Sequence, residues 1–575
     1  MIKTGSEIFV ECLLRENVDI LYGIPGGQLI PIFDKIYGSQ LKLILTRHEQ
    51  GAAHMADGYA RSTGKTGVCI ATSGPGATNL VTGLANAYLD SIPMVAFTGQ
   101  VPTTLIGNDA FQEADITGIT RPVTKHNYLV KDVKDLATVI REAFYIASTG
   151  RPGPVLVDIP ADVQRASTEF IWPEKVSIRS YRPNYEGHPG QIKKAAELIN
   201  SSKRPVLYVG GGVITSESSA EVIALAKKAE IPVTTTLLAI GAFPPDSELC
   251  LGMPGMHGTY FANHAIQNSD LLIAVGSRFD DRVTGKVSAF APHARIIHID
   301  IDPTSISKNV VVDVPVVGDA KSILLELNKE IKKSSHGEWI SQINKWKKAH
   351  PITYQKDAKL RPQYVIEAID ELTKGEAIVV TEVGQHQMWA AQFYKAKKPR
   401  TFLSSGGLGT MGFGLPAAIG AKMANPDKIV VDISGDGSFQ MNVQELATAV
   451  LNKVNIKVAI LNNQYLGMVR QWQEMFYGKR YSATCLHRVP SCPEKCSKPG
   501  TKLCPAYTPD FVKLAEAYGA VGIRISTKKD VVPALKKALA VNKPVILEFM
   551  VEQEENVLPM VPAGAALDEI ITNLA

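Results

Sequence analysis

Short apolar runs alternate with stretches of helical periodicity along nearly the whole chain. The clearest runs are 67–72, 93–98, 154–159, 205–209, 270–275, 294–301, 377–380, 428–433, 458–461 and 544–550. Most lead into a small polar or glycine-rich turn and then into a helical pattern. Such alternation predicts an α/β fold of open, mostly parallel sheets flanked by helices. In sheets of this kind ligands bind at the carboxyl ends of the strands. Two stretches break the pattern. Residues 163–190 hold Pro173, Pro183 and Pro189 among charged residues, and 330–361 is rich in lysine. Both read as connections, the second with some helix. The cuts give three domains of ordinary size, 1–180, 181–350 and 351–575.

The first and third domains echo each other. VCIATSGPGATNLVTGLANAYLDSIPMVAFTGQ and IVVDISGDGSFQMNVQELATAVLNKVNIKVAILNN each read as strand, Ser-Gly-x-Gly turn, helix and strand. Ser73 precedes Gln100 by 27 residues, and Ser434 precedes Asn462 by 28. Any two strand–helix–strand units share part of this likeness; the remainder suggests two related domains flanking an insert.

Composition narrows the classes. At 575 residues the chain exceeds a single core, and 45% hydrophobic with 20% charged residues excludes a disordered or fibrous chain. No apolar run approaches the ~18 residues of a membrane span. The opening residues carry charge throughout, so no secretion signal is expected and the cytoplasm is the expected location. A net charge of +5 points to no nucleic-acid partner. Seven cysteines do not make a disulfide scaffold, although Cys485, Cys492, Cys496 and Cys504 fall close together.

The chemistry concentrates at Gly435-Asp436-Gly437, which closes a strand and opens a predicted amphipathic helix with Val443, Leu446, Ala447, Val450 and Leu451 on one face. Glycines allow a ligand close to the backbone, and a helix start suits a phosphate. Asp436 would repel that phosphate unless a hard divalent cation lay between them. Asn462-Asn463 ends the next strand, where a side-chain oxygen offers a second ligand. Alone, the glycine turn is an ordinary turn; with the paired asparagines after the next strand it is far more specific.

This combination resembles the thiamine-diphosphate enzymes. The resemblance implies Mg²⁺ held by Asp436, Asn463 and the carbonyl of Tyr465. Glu49 opens the helix beginning EQGAAHMADGYARSTG, where the helix dipole alone accounts for an acid. The resemblance instead gives Glu49 the task of contacting the aminopyrimidine and promoting loss of the thiazolium C2 proton. It further implies a homodimer with shared sites, because in this class the first domain of one subunit meets the third domain of another.

Further segments narrow the likeness: GIPGGQLIPIFD, SGPGATN, TGQVPTTLIGNDAFQE, TKHNYLV, GRPGPVLVDIP, SRFDDRVTG, SSGGLGTMGFGLPAAIGA, LGMVRQWQ and ENVLPMVPAGAALDE. From about residue 3 to the carboxyl end the chain looks like the acetohydroxyacid (acetolactate) synthase catalytic subunits. That family decarboxylates pyruvate on thiamine diphosphate. It transfers the two-carbon unit to pyruvate, giving 2-acetolactate, or to 2-ketobutyrate, giving 2-aceto-2-hydroxybutyrate, toward valine, leucine and isoleucine. A catabolic acetolactate synthase, another carboligase or a pyruvate oxidase is the alternative.

The resemblance assigns Met411 to propping the bent cofactor, Arg282 to the second ketoacid's carboxylate and Trp472 to the preference for 2-ketobutyrate. Gly27, Phe111, Gln112, Lys125 and Met468 are expected to line the site. Gly384, Gln385, His386, Gly409, Gly435, Gly437 and Ser438 join Glu49, Met411, Asp436 and Asn463 around thiamine diphosphate. Arg151, Gly210, Gly211, His257, Arg278, Asp300 and Asp319 match positions that hold FAD in the middle domain. Dimer or tetramer stays open, as does a separate small regulatory subunit. The cysteine-bearing segment CLHRVPSCPEKCSKPGTKLCPA departs from the pattern. Four thiolates there allow a metal, or remain free thiols.

Overall fold

The computed structural model describes residues 1–493 and 504–573. Its strands form three parallel sheets and one small ribbon. The ribbon pairs β1 (Ile2–Thr4) with β8 (Ser167–Glu169) antiparallel. The first sheet holds β2 (Ile20–Gly23), β3 (Lys42–Leu45), β4 (Gly67–Ala71), β5 (Met94–Gln100), β6 (His126–Leu129) and β7 (Pro154–Pro160), in the order β3-β2-β4-β5-β7-β6. The middle sheet holds β9 (Pro205–Val209), β10 (Val233–Thr235), β11 (Leu271–Val275), β12 (Arg295–Asp300) and β13 (Val314–Val317), in the order β10-β9-β11-β12-β13. The third holds β14 (Ile378–Thr381), β15 (Phe402–Leu403), β16 (Val430–Gly435), β17 (Lys457–Asn462), β18 (Val521–Ile525) and β19 (Val545–Met550), in the order β15-β14-β16-β17-β19-β18.

The central strands β4, β5, β7, β9, β11 and β14 are buried along their whole length, as expected of parallel strands covered by helices on both faces. The first and third sheets share one strand order relative to chain order, so the echo read in the sequence extends to the whole sheet. Helices Glu49–Thr63 and Gly414–Ala424 occupy equivalent places, each just before the third strand of its sheet. They pack against each other along a seam of small residues, where Gly58 meets Ala417 and Gly420 meets Met55.

As expected, the 330–361 connection carries some helix, Gly337–Ala349, with Trp339 and Ile343 buried on the middle domain. One expectation changes. The single amphipathic helix after Gly437 is instead three pieces: Asp436–Phe439, a 3₁₀ turn Gln440–Asn442, and Glu445–Leu451. Its polar residues are used internally, since Asn442 Nδ2 donates to the Gly412 carbonyl and Gln440 Nε2 to that of Asp436. The buried face carries Glu445 and Thr448 beside Leu446 and Ala449, while Leu451 is exposed. Among the described residues no helix is long and apolar enough to cross a membrane.

Candidate active site

Strands β16 and β17 run parallel side by side, with Gly435 opposite Leu461. Their carboxyl ends therefore deliver Asp436 and Asn463 to one place, and both are buried, as is Tyr465 two residues on. Asn463 Oδ1 accepts the Tyr465 N–H at 3.1 Å, and its Nδ2 donates to Gln385 Oε1 at 3.2 Å. One Asp436 oxygen is buried with no hydrogen-bond partner, and burial raises the carboxyl pKa to about 7. A buried carboxylate with one oxygen left unbonded, beside a carboxamide, is an oxygen donor set that fits a hard divalent cation. The His386 ring lies against Gly435, leaving no room for a Cβ there, and burial lowers its pKa to about 3.

Beside this corner opens a cavity of about 790 Å³. Its walls bring together two groups of expected residues. Gly384, Gly409, Met411, Met468, Trp472 and Arg282, expected around the substrates and thiamine diphosphate, line it together with Arg151, Gly210, Gly211, His257, Arg278, Asp300 and Asp319, expected around FAD. Gly210 abuts Gly276 so closely that a Cβ would lie 2.7 Å from the Gly276 carbonyl carbon, so backbone alone forms this wall. His257 accepts no partner at Nε2, and burial lowers its pKa to about 4. Arg151 is held by Asp302 at 3.2 Å and Ser91 Oγ at 2.8 Å. Trp472 stands on helix Gly467–Phe476, whose other face is clamped: Gln471 donates to the Val557 carbonyl at 3.0 Å and accepts from Gln385 at 2.9 Å. The Trp472 ring N–H is buried without a partner. Arg282 is 57% exposed and only loosely paired with Asp281.

Arg151 apart, the expected residues of the first domain, Gly27, Glu49, Phe111, Gln112 and Lys125, do not line this cavity. Glu49 begins helix Glu49–Thr63 and accepts from Asn79 Nδ2 at 2.9 Å. Around it gather Gly76 and Thr72, with Gly26 packed on Thr72 and Gly74 on Gln112. Gln112 adopts a left-handed φ of 58°. Gly27 begins a short 3₁₀ turn with open space around its Cα, and Phe111 is 84% exposed. Lys125 differs from expectation most. Its ammonium donates to the carbonyls of Ile146 and Thr149 and to the Tyr181 hydroxyl, and burial lowers its pKa to about 8.

Several buried polar residues that the sequence did not single out hold these pieces in place. Glu382, at the end of β14, accepts from the Gly412 and Leu415 N–H groups and from Ser438 Oγ at 2.6 Å. It thus ties the Met411 loop to the Asp436 turn. From the first domain, Asp90 accepts from the Gly406 and Gly407 N–H groups at 3.0 and 2.7 Å, and Asn86 accepts from Ser405 and Thr410 hydroxyls. Arg61 joins Asp57, Asp90 and the Ser404 carbonyl. Glu382 follows a strand; for the others the sequence sign was a charged or amide side chain within a helix.

Of the four clustered cysteines, Cys496 lies outside the described residues. Cys485 bridges Tyr465 through its backbone, and Cys492 Sγ accepts the Val489 N–H at 3.5 Å. Among the described residues no three His, Cys, Asp or Glu side chains gather as a metal centre.

Comparison with known proteins agrees with this geometry. Three family models match in chain order: the thiamine pyrophosphate enzyme N-terminal TPP binding domain over residues 3–119, the central domain over 192–327 and the C-terminal TPP binding domain over 382–549. Similar proteins include an acetolactate synthase of Mycobacterium bovis, 51% identical over 99% of this chain and 91% of that protein. The acetolactate synthase large subunit of Corynebacterium glutamicum is 52% identical over 99% of this chain and 90% of that protein. The large subunit of Haemophilus influenzae is 47% identical over 99% and 98%.

Proposed function

This chain belongs to the acetolactate synthase large subunits of the thiamine pyrophosphate enzymes, and from that premise we infer how its own residues carry the reaction. The enzyme decarboxylates pyruvate and joins the two-carbon unit to a second 2-ketoacid. Pyruvate as acceptor gives 2-acetolactate and 2-ketobutyrate gives 2-aceto-2-hydroxybutyrate, in branched-chain amino acid biosynthesis. Thiamine diphosphate, when bound, supplies the electron sink for decarboxylation.

We propose that Asp436, Asn463 and the Tyr465 carbonyl hold Mg²⁺, which in turn holds the diphosphate. The partnerless buried Asp436 oxygen supports this reading more than any other observation. Met411 supports the cofactor from the cavity wall. Glu49 takes and returns a proton at the aminopyrimidine N1′. Arg282 pairs with the acceptor's carboxylate, a task its exposed guanidinium suits. Trp472 supplies the apolar contact for the acceptor's extra methyl group. The part of the cavity walled by Gly210, Gly211, Arg278 and Asp300 fits FAD, whose glycine wall and buried His257 nitrogen support it.

Glu49 and the Met411 cavity stand apart within one chain, which supports a homodimer in which Glu49 serves the cofactor of the partner. Exposed Ile30, Phe111, Met441 and Leu451 offer apolar surface for that contact. The relatives named large subunits support a separate small subunit as a further partner.

The test is incubation with pyruvate, with and without 2-ketobutyrate, in thiamine diphosphate, Mg²⁺ and FAD, with products identified by mass. Acetolactate that gives way to acetohydroxybutyrate on adding 2-ketobutyrate is expected. Acetaldehyde or acetyl phosphate in its place would overturn the acceptor assignments.

A further inference from the structure

The third domain reaches across the seam to the peptide just before Glu49. Glu445, fully buried on helix Glu445–Leu451, accepts the Arg47 N–H at 3.0 Å and the His48 N–H at 3.0 Å on the same oxygen. Its other oxygen accepts from Thr448 Oγ1 at 2.7 Å. Burying a carboxylate is costly unless its hydrogen bonds are made, and charge-assisted bonds are the strong, directional ones. These bonds span nearly four hundred residues of sequence and end on the two amides preceding the Glu49 helix. His48 continues the chain of anchors, its Nδ1 accepting the Gln50 N–H at 3.1 Å. Residue 51 is a glycine, and a Cβ there would lie 2.7 Å from the Glu445 carboxyl carbon. The carboxylate therefore lies flat against the first turn of that helix.

The arrangement has a counterpart. Asn86 and Asp90, on helix Val81–Asp90 of the first domain, hold the 405–410 loop that leads to Met411. Helix Glu445–Leu451 holds the equivalent place in the third sheet, between β16 and β17 as Val81–Asp90 lies between β4 and β5. Each domain thus uses a buried acid on the same helix to fix, in the other, the segment that bears a cofactor-facing residue.

We propose that Glu445 is a positioning residue for Glu49, fixing the Arg47–His48 peptide and with it the direction in which the Glu49 carboxylate leaves the helix. The inference rests on the reading of Glu49 as the group that serves the aminopyrimidine. Asn79 steadies the tip of Glu49; Glu445 steadies its root. Reaction geometry tolerates little drift, and about 1 Å of misplacement can cost on the order of 100-fold.

The holoenzymes of Glu445→Gln, Thr448→Val and Glu49→Gln are compared with the parent. Hydrogen–deuterium exchange at thiamine C2 is read by acid quench and NMR. Affinity for thiamine diphosphate with Mg²⁺ is measured separately. Glu445→Gln is expected to slow C2 exchange about 10-fold or more while cofactor affinity stays within about threefold. Thr448→Val, which removes one donor and no charge, is expected to slow it less. Backbone amide exchange of residues 46–50, followed with and without cofactor, is expected to quicken in both. If Glu445→Gln exchanges at the parent rate while Glu49→Gln is slowed, this inference falls and the reading of Glu49 stands. If Glu49→Gln also exchanges at the parent rate, the underlying reading falls. Loss of cofactor affinity in step with exchange in both Glu445→Gln and Thr448→Val would make Glu445 a plain structural residue and overturn the proposal.

Discussion

Gly58→Ala tests the seam between the first and third domains. A Cβ at residue 58 would lie 2.7 Å from both the Cα and the carbonyl carbon of Ala417. Carbon atoms in ordinary contact are about 3.5–4.0 Å apart, so the helices must part by roughly 1 Å. The obstacle is backbone, and no change of rotamer removes it. Overpacking of this kind costs about 1–3 kcal/mol. For a cooperative unit of 150–250 residues that lowers the melting midpoint by about 2–12 °C. The displaced helix begins with Glu49, so turnover should fall further than stability does, by ~10- to 100-fold. The assay pairs thermal melting with the rate of pyruvate consumption at saturating cofactor. Gly337→Ala is the control, since no atom lies within 4 Å of its would-be Cβ. A Gly58→Ala protein that melts within ~1 °C of the parent and turns over at its rate would show that the seam gives way freely, and the packing argument would be wrong.

Four other changes probe separate parts of the molecule. Asn463→Ala should weaken Mg²⁺-dependent binding of thiamine diphosphate about 10-fold or more, measured by titration of the apoenzyme. Trp472→Leu should lower the ratio of acetohydroxybutyrate to acetolactate roughly tenfold at equal ketoacid concentrations, because an apolar pocket separates one methylene by only ~1–3 kcal/mol. Gly210→Ala should abolish flavin retention, scored by the absorbance of the purified protein, because the added Cβ meets the Gly276 backbone. Lys125 titrates near 8 in the fold against 10.5 in the unfolded chain. The unfolded state therefore binds the extra proton between those values, and stability gains a component that rises with pH across that window. Lys125→Met should lack that rise in denaturation midpoints taken from pH 8 to 10.5, while an unchanged profile would sever Lys125 from it.

Much of the fold was legible because the central strands are apolar along their whole length and end in glycine-rich turns. What escaped was short or half-exposed. The strand at Val233–Thr235 has three residues, and Val521–Ile525 is buried only at its last. The Asp436 and Asn463 corner was readable because two adjacent parallel strands place both ends together by topology alone. Glu445, Asp90 and Asn86 were not readable. Each sits in a helix where periodicity assigns a polar residue to solvent, and its partners lie hundreds of residues away in sequence. The helix after Gly437 was misread on a related ground: its polar side chains face inward, Asn442 donating to the Gly412 carbonyl and Gln440 to that of Asp436, while Leu451 faces outward. Lys125 shows the converse, a residue whose carbonyl and hydroxyl partners only the folded chain reveals.

The seam has the form of contact that symmetric dimers use. Gly58 touches Ala417 as Gly420 touches Met55, and the two pairs are three residues apart on equivalent helices. One polypeptide therefore meets itself across a local twofold axis, as two copies of a single subunit would. The two sides differ in what they carry there: Glu49 opens the helix on one side, and Met411 stands three residues before its counterpart on the other. A substitution on one side of the axis has a mirror position on the other, and the two must be judged as a pair when the chain is engineered or when its drift is traced.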